Sequence, residues 1–154
     1  MELLKILTDD APELRKVSDE ILFNDVAQNE YVSKLSKNMF YTMKMSNGIG
    51  LAAPQVGVNL RIITMDTTGV GGKIMMIMFN PKITEKTGNC EMEEGCLSFP
   101  NKTVKTSRFE NVTVSYRGFN GEKMERKMTG IDAICVQHEI DHLNGITFFE
   151  RAIK

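Results

Sequence analysis

The chain has 154 residues, which suits one domain and is long enough to bury a hydrophobic core. Apolar residues make up 42% of it and charged residues 25%, and the formal net charge is −1. This balance gives no basic footprint for nucleic acid or an anionic membrane. Signal peptides, spans of about 18 apolar residues and a paired cysteine framework are also absent from the sequence, so we predict a single cytoplasmic domain over residues 1–154.

The first predicted elements are two helices. Asp10–Val17 is predicted as a short helix with Pro12 in its first turn, where a missing N–H costs little. Val26–Met45 is predicted as a longer helix, capped by Asn24 or Asp25. Apolar residues recur in it at helical spacing and predict a face directed toward the core. They are Val32, Leu35, Met39, Phe40 and Met43.

The middle of the chain consists of β-type runs. Arg61–Met65 and Lys73–Phe79 are predicted strands, joined by a hairpin-like connection over residues 67–72. The glycines of this connection are compatible with a phosphate-binding loop, but no helix follows, so we interpret it as a turn. Asn111–Tyr116 and Glu122–Met128 form a second predicted strand pair.

The chain closes with a predicted helix over Ile131–Asn144, ended by Gly145, and a short predicted strand over Thr147–Phe149. Strands grouped between helices are typical of the α+β class. We therefore predict an α+β fold whose mixed or antiparallel sheets pack around the C-terminal helix.

Both histidines of the chain lie in the run His138–His142 of that helix. Residues four apart share one helix face, so the two imidazoles can bind one ion. Glu139 lies about 100° further round the helix, close enough to take a proton from a metal-bound water but too far round to be an equal ligand. The alternative is two unrelated histidines on a solvated helix.

A catalytic site of this kind needs a third protein ligand and an open position for water. Downstream, Glu150 is the sole carboxylate, and within the run Asp141 points away from the ligand face. Cys96 is the stronger candidate, because Gly95 lets the backbone turn beside it and the segment follows a β-like stretch. A lone cysteine is otherwise most often buried and inert.

The sequence pattern alone does not exclude two other cysteines as the third ligand. Cys90 and Cys135 both compete with Cys96, and Cys135 could line the site from the helix face of His138 without binding the ion.

A further cluster, residues 48–55, places glycines on either side of Ile49 and permits an extended backbone that a peptide can join as an added strand. Taken alone, it indicates a glycine-bearing turn before a strand.

Three segments occur in one order: Gly48–Gln55, Glu94–Ser98 and Gln137–His142. With this ordered triple the sequence resembles the peptide deformylases, metallohydrolases that remove the formyl group from the N-terminal methionine of nascent chains. The resemblance extends from Pro12 to Phe149. It implies that residues 1–154 form one peptide deformylase catalytic domain.

The resemblance implies a site for one divalent ion, bound by Cys96, His138 and His142 with water in the fourth position. It implies Fe(II) as the native ion, and Zn(II), Ni(II) or Co(II) suits the same ligands. It further implies that Glu139 is the general base that drives the water onto the formyl carbonyl.

Other roles follow from the same resemblance. Gln55 and the backbone N–H of Leu97 are implied as donors to the oxyanion. The residues implied to contact the peptide are Ile49, Gly50 and Gly95 for its backbone, and Ile134, Cys135 and Leu97 for its methionine side chain.

The implied partners are N-formyl-methionyl nascent chains, and we expect a monomer without direct nucleic-acid or membrane binding. The chain ends at Lys154, whereas many bacterial members continue into a helix implicated in ribosome docking, which puts transient ribosome association in doubt. This short form suits an organellar or viral member as well as a bacterial one.

Two other classes compete with this interpretation. A zincin-like peptidase shares the histidine pair and Glu139, but a thiolate ligand is unusual there. A structural metal module is normally closed by four protein ligands, and three are visible here. Counting the open coordination positions by spectroscopy separates these classes.

Overall fold

The structure is a computed structural model that describes residues 1–23 and 26–154. This described part contains two α-helices, α1 (Val26–Met45) and α2 (Ile131–Leu143). Its strands are β1 (Gly50–Ala52), β2 (Ile62–Asp66), β3 (Met75–Thr87), β4 (Cys90–Glu94), β5 (Val104–Arg108), β6 (Asn111–Arg117) and β7 (Lys123–Thr129). Short 3-10 helices cover Pro12–Arg15, Ala53–Val56, Thr68–Val70 and Phe148–Arg151.

The strands form two antiparallel units. Five of them make one sheet in the order β1-β2-β3-β6-β7, and β4 pairs with β5 as a separate hairpin. Helix α2 packs against β1, β2 and β7 of the sheet. Its side chains also make hydrogen bonds to the hairpin of β4 and β5. The predicted α+β fold around the C-terminal helix is confirmed.

Helix α1 covers the sheet with the apolar face that the sequence predicts. Val32, Leu35, Met39 and Met43 are buried, and Phe40 packs against the same cluster. They meet apolar residues of the sheet, among them Leu51, Ile62 and Phe79. The predicted caps Asn24 and Asp25 lie outside the described residues. In the part of the chain that the structure describes, no helix is both long and apolar enough to cross a membrane.

Helix α2 is buried from Asp132 to Leu143. Its apolar side chains join the core formed by the sheet, with Ala133, Val136 and Ile140 in contact with that cluster. The predicted end at Gly145 is confirmed by a φ of +73°, and a Cβ there would lie 2.7 Å from the Arg15 carbonyl oxygen. Glycine is therefore required both for the backbone angle and for the close approach.

The predictions fail at both ends of the chain. The predicted helix over residues 10–17 is a four-residue 3-10 helix, since the Ser18 N–H is bonded to the Leu143 carbonyl instead of continuing a helix. The predicted strand over Thr147–Phe149 is wrong, because the Glu150 carboxylate accepts hydrogen bonds from the Thr147 N–H (3.0 Å) and hydroxyl (2.5 Å) and begins a 3-10 helix.

Candidate metal centre

Three predicted ligands converge at the junction of the hairpin and α2. Cys96 follows β4, and His138 and His142 lie on consecutive turns of α2. Their ligand atoms lie within 4.8 Å of one another, and within residues 1–23 and 26–154 no other histidine, cysteine and carboxylate group gathers three so closely. The Cys96 Sγ lies 3.4 Å from the His142 Nε2. This spacing fits three donors around one ion.

The hairpin holds His138 in a single orientation. The His138 Nδ1 lies 2.8 Å from the Glu94 carboxylate, which leaves Nε2 for the ligand cluster. Burial alone would raise the pKa of Glu94, but hydrogen bonds from His138 and Arg108 lower it to about 2. Glu94 is therefore ionised and accepts a hydrogen bond from the imidazole Nδ1–H. Neither Glu94 nor Arg108 was predicted as a site residue.

The charges around the cluster favour a cation. Burial lowers the pKa of His138, yet the Glu139 carboxylate and the bonds to Cys96 and Glu94 raise it to about 10. The negative groups around the His138 imidazole thus stabilise positive charge on it. Burial and the neighbouring His138 hold the pKa of His142 well below its ordinary value, so this imidazole is neutral, the form that binds a metal. A thiolate and two imidazoles among carboxylates fit a divalent ion.

Glu139 borders the ligand cluster without belonging to it. Its side chain is buried, which raises its pKa to about 7, and Oε1 has no hydrogen-bond partner among the described residues. Strand β1 runs directly beside this carboxylate. A Cβ added to Gly50 would lie 2.9 Å from the Glu139 Cδ and 3.0 Å from the Cys135 Sγ, so glycine is needed at this approach.

Gln55 lies in the 3-10 helix Ala53–Val56 and reaches the loop of Cys96. Its Oε1 accepts a hydrogen bond from the Ala52 N–H (2.9 Å), and its Nε2 donates to the Ser98 Oγ (3.1 Å). The Nε2 also lies 3.6 Å from the Cys96 Sγ. The predicted donor Gln55 is therefore beside the ligands. Sequence reasoning missed Ser98, although it ends the segment that carries Cys96.

A cleft of about 510 Å³ opens in front of the cluster. Cys96, His138, Glu139 and Gln55 line its inner wall, while His142 is fully buried behind them. The structure brings all the residues predicted to contact the peptide to this cleft: Ile49, Gly50, Gly95, Leu97, Ile134 and Cys135. The competing Cys90 lies at the start of β4 and does not join the ligands.

Known proteins are similar to this chain in sequence and in fold. The family profile described as polypeptide deformylase matches residues 3–154. A peptide deformylase of Thermodesulfovibrio yellowstonii is 42% identical over 144 residues, which cover 90% of this chain and 87% of that protein.

Solved structures agree with the family match. The peptide deformylase of Thermotoga maritima superposes with a TM-score of 0.91 at 34% identity and covers 100% of both chains. A class I type b peptide deformylase of Acinetobacter baumannii with Met-Ala-Ser bound has a TM-score of 0.88 at 36% identity, over 97% of this chain and 98% of that one. The chain therefore belongs to the polypeptide deformylase family and is a hydrolase that removes the N-formyl group from nascent polypeptides.

Proposed function

We propose that Cys96, His138 and His142 bind one divalent ion and that Glu139 serves as the general base of deformylation. The observation that carries this proposal is the approach of the three ligand atoms to within 4.8 Å beside a buried carboxylate. When bound, the ion would lower the pKa of a water and polarise the formyl oxygen. Fe(II) is proposed as the native ion, with Zn(II), Ni(II) or Co(II) able to occupy the same ligands.

The side chains around the ion would move the proton and stabilise charge. Glu139 would take a proton from the attacking water and deliver it to the departing amine, and its pKa of about 7 suits both steps near neutral pH. The Gln55 Nε2 and the Leu97 backbone N–H would donate to the oxygen as it becomes negative. Donors of this kind each lower a barrier by about 3–4 kcal/mol.

The cleft would hold the peptide by its main chain. β1 is an edge strand of the sheet, so Ile49 and Gly50 on one side and Gly95 on the other can pair with an extended peptide. Leu97, Ile134 and Cys135 would surround the methionine side chain. The neighbour from Acinetobacter baumannii that holds Met-Ala-Ser supports a peptide of this kind in the cleft.

Three wider assignments accompany this mechanism. We propose that residues 1–154 act as one catalytic domain, as a monomer and in the cytoplasm. We also propose that the protein binds neither nucleic acid nor membranes directly, and its net charge of −1 supports this because it provides no basic surface excess.

An anaerobic formate-release assay on formyl-Met-Ala-Ser, with metal analysis of the same sample, tests the proposal. We expect one ion per chain, formate from the formyl peptide and no product from acetyl-Met-Ala-Ser. Cleavage of the Met–Ala bond in unformylated Met-Ala-Ser would indicate a peptidase instead. A metal-loaded protein without turnover would indicate a structural metal site.

A further inference from the structure

We propose that Ser98 is a positioning residue for deformylation, whose hydroxyl fixes the rotation of the Gln55 side-chain amide so that one N–H is directed to the formyl oxygen. The inference rests on the proposed role of Gln55 as an oxyanion donor.

The amide of Gln55 has one carbonyl oxygen and two N–H groups to place. The Ala52 N–H occupies Oε1 at 2.9 Å, which decides which end of the amide is nitrogen. The Ser98 Oγ, 3.1 Å from Nε2, accepts one of the two N–H groups. The second N–H donates weakly to the Cys96 Sγ, 3.6 Å from Nε2, and a bound formyl oxygen would have to take over or share this donor. Cys96 lies on the side on which the formyl group would be bound.

One anchor would not fix this direction. The terminal torsion of a glutamine side chain has a broad energy profile, so an amide held at Oε1 alone can rotate about its last bond. The Ser98 hydroxyl supplies the second anchor. Gln55 is 1% exposed and Ser98 is 0% exposed, so bulk water is not available to replace the hydroxyl.

The backbones of both residues are held by the same N-terminal segment. The Leu7 N–H donates to the Gln55 carbonyl oxygen at 2.7 Å, and the Asp9 N–H donates to the Ser98 carbonyl oxygen at 3.0 Å. Because one segment spans the two loops, the separation of Gln55 from Ser98 is fixed by the fold. The hydroxyl is therefore pre-placed before substrate enters, which is the requirement for electrostatic preorganisation.

The test is a double-mutant cycle of Ser98→Ala and Gln55→Ala, assayed with formyl-Met-Ala-Ser on protein of equal metal content. A neutral hydrogen bond is worth up to about tenfold in a rate. We therefore expect Ser98→Ala to lower kcat about tenfold with KM changed less than about twofold, because the donor acts on charge that develops in the transition state. In the Gln55→Ala background, Ser98→Ala should cause no further loss.

Three further measurements separate positioning from packing. Ser36→Ala is the matched control, since Ser36 is also 0% exposed and its hydroxyl donates to the Ser33 carbonyl oxygen in α1, and it should leave kcat unchanged. Ser98→Cys nearly preserves volume and gives a weaker acceptor, so its kcat should fall between wild type and Ser98→Ala. The NMR signals of the Gln55 side-chain amide should lose exchange protection in Ser98→Ala.

The outcomes separate the positioning role of Ser98 from the oxyanion role of Gln55. An unchanged kcat in Ser98→Ala, or an equal loss with and without Gln55, overturns the positioning role while the oxyanion role of Gln55 stands. A wild-type kcat in Gln55→Ala overturns the oxyanion role itself. Where Ser98→Ala does not fold, the same cycle with Ser98→Cys decides the question.

Discussion

Of the two cysteines at the cleft, Cys96 belongs to the ligand cluster and Cys135 does not. Burial and the Glu139 carboxylate raise the pKa of Cys135 well above its ordinary value, so its thiol stays protonated, whereas metal binding requires a thiolate. We expect Cys96→Ser to lose most of its metal and turnover and Cys135→Ser to keep its metal. Anaerobic metal analysis with kcat/KM checks this. Full metal and activity in Cys96→Ser, with both lost in Cys135→Ser, would reverse the assignment.

Glu139 is expected to transfer protons and not to bind the metal ion. Glu139→Gln keeps the shape of the side chain but removes its basicity, so turnover should fall on the order of 100-fold or more while metal content is retained. Activity and metal content are measured on one preparation. A parallel loss of metal would place Glu139 among the ligands.

At the scale of elements, a buried ion network joins the hairpin to α2. The guanidinium of Arg108 donates to Glu94 at 2.5 Å and to Asp141 at 2.9 Å, and its side chain is 3% exposed. Arg151, in the 3-10 helix Phe148–Arg151, also donates to Asp141. Asp141, which the sequence places off the ligand face, therefore fixes α2 to its surroundings.

Removal of Arg108 should destabilise the whole protein. Arg108→Leu leaves Glu94 and Asp141 buried without their shared cation, which typically costs about 3–5 kcal/mol of unfolding free energy. Lys105→Ala is the control, since Lys105 pairs with Glu91 at 3.8 Å in an exposed position and should change stability by less than about 1 kcal/mol. Urea unfolding of both variants measures the difference, and equal midpoints would contradict the prediction.

At the scale of the whole molecule, selectivity should come from one pocket. Main-chain pairing is tolerant of sequence, whereas Leu97, Ile134 and Cys135 present an apolar wall near the ligands. Formyl-Met and formyl-norleucine peptides should be processed similarly and formyl-Asp or formyl-Lys peptides barely, because burying an unpaired charge costs several kcal/mol. A comparable kcat/KM for all four peptides would exclude this pocket as the source of selectivity.

The sequence predicts local relations better than distant ones. The spacing of His138 and His142 is a property of one helix and is directly readable. Ser98 is bonded to Gln55, 43 residues away, and Arg108 is bonded to Glu94, 14 residues away. No periodicity in the sequence encodes such pairs. At Thr147 two local signals conflict, and the cap formed by Glu150 outweighs the strand preference of threonine and phenylalanine.

Helix α2 is buried along its length although it carries the polar groups of the site. Within the described residues, Glu139 Oε1 and His142 Nδ1 have no hydrogen-bond partner from the protein. Burying polar and ionisable groups costs free energy, so a site carried by a buried helix is expected to lower the stability of the fold.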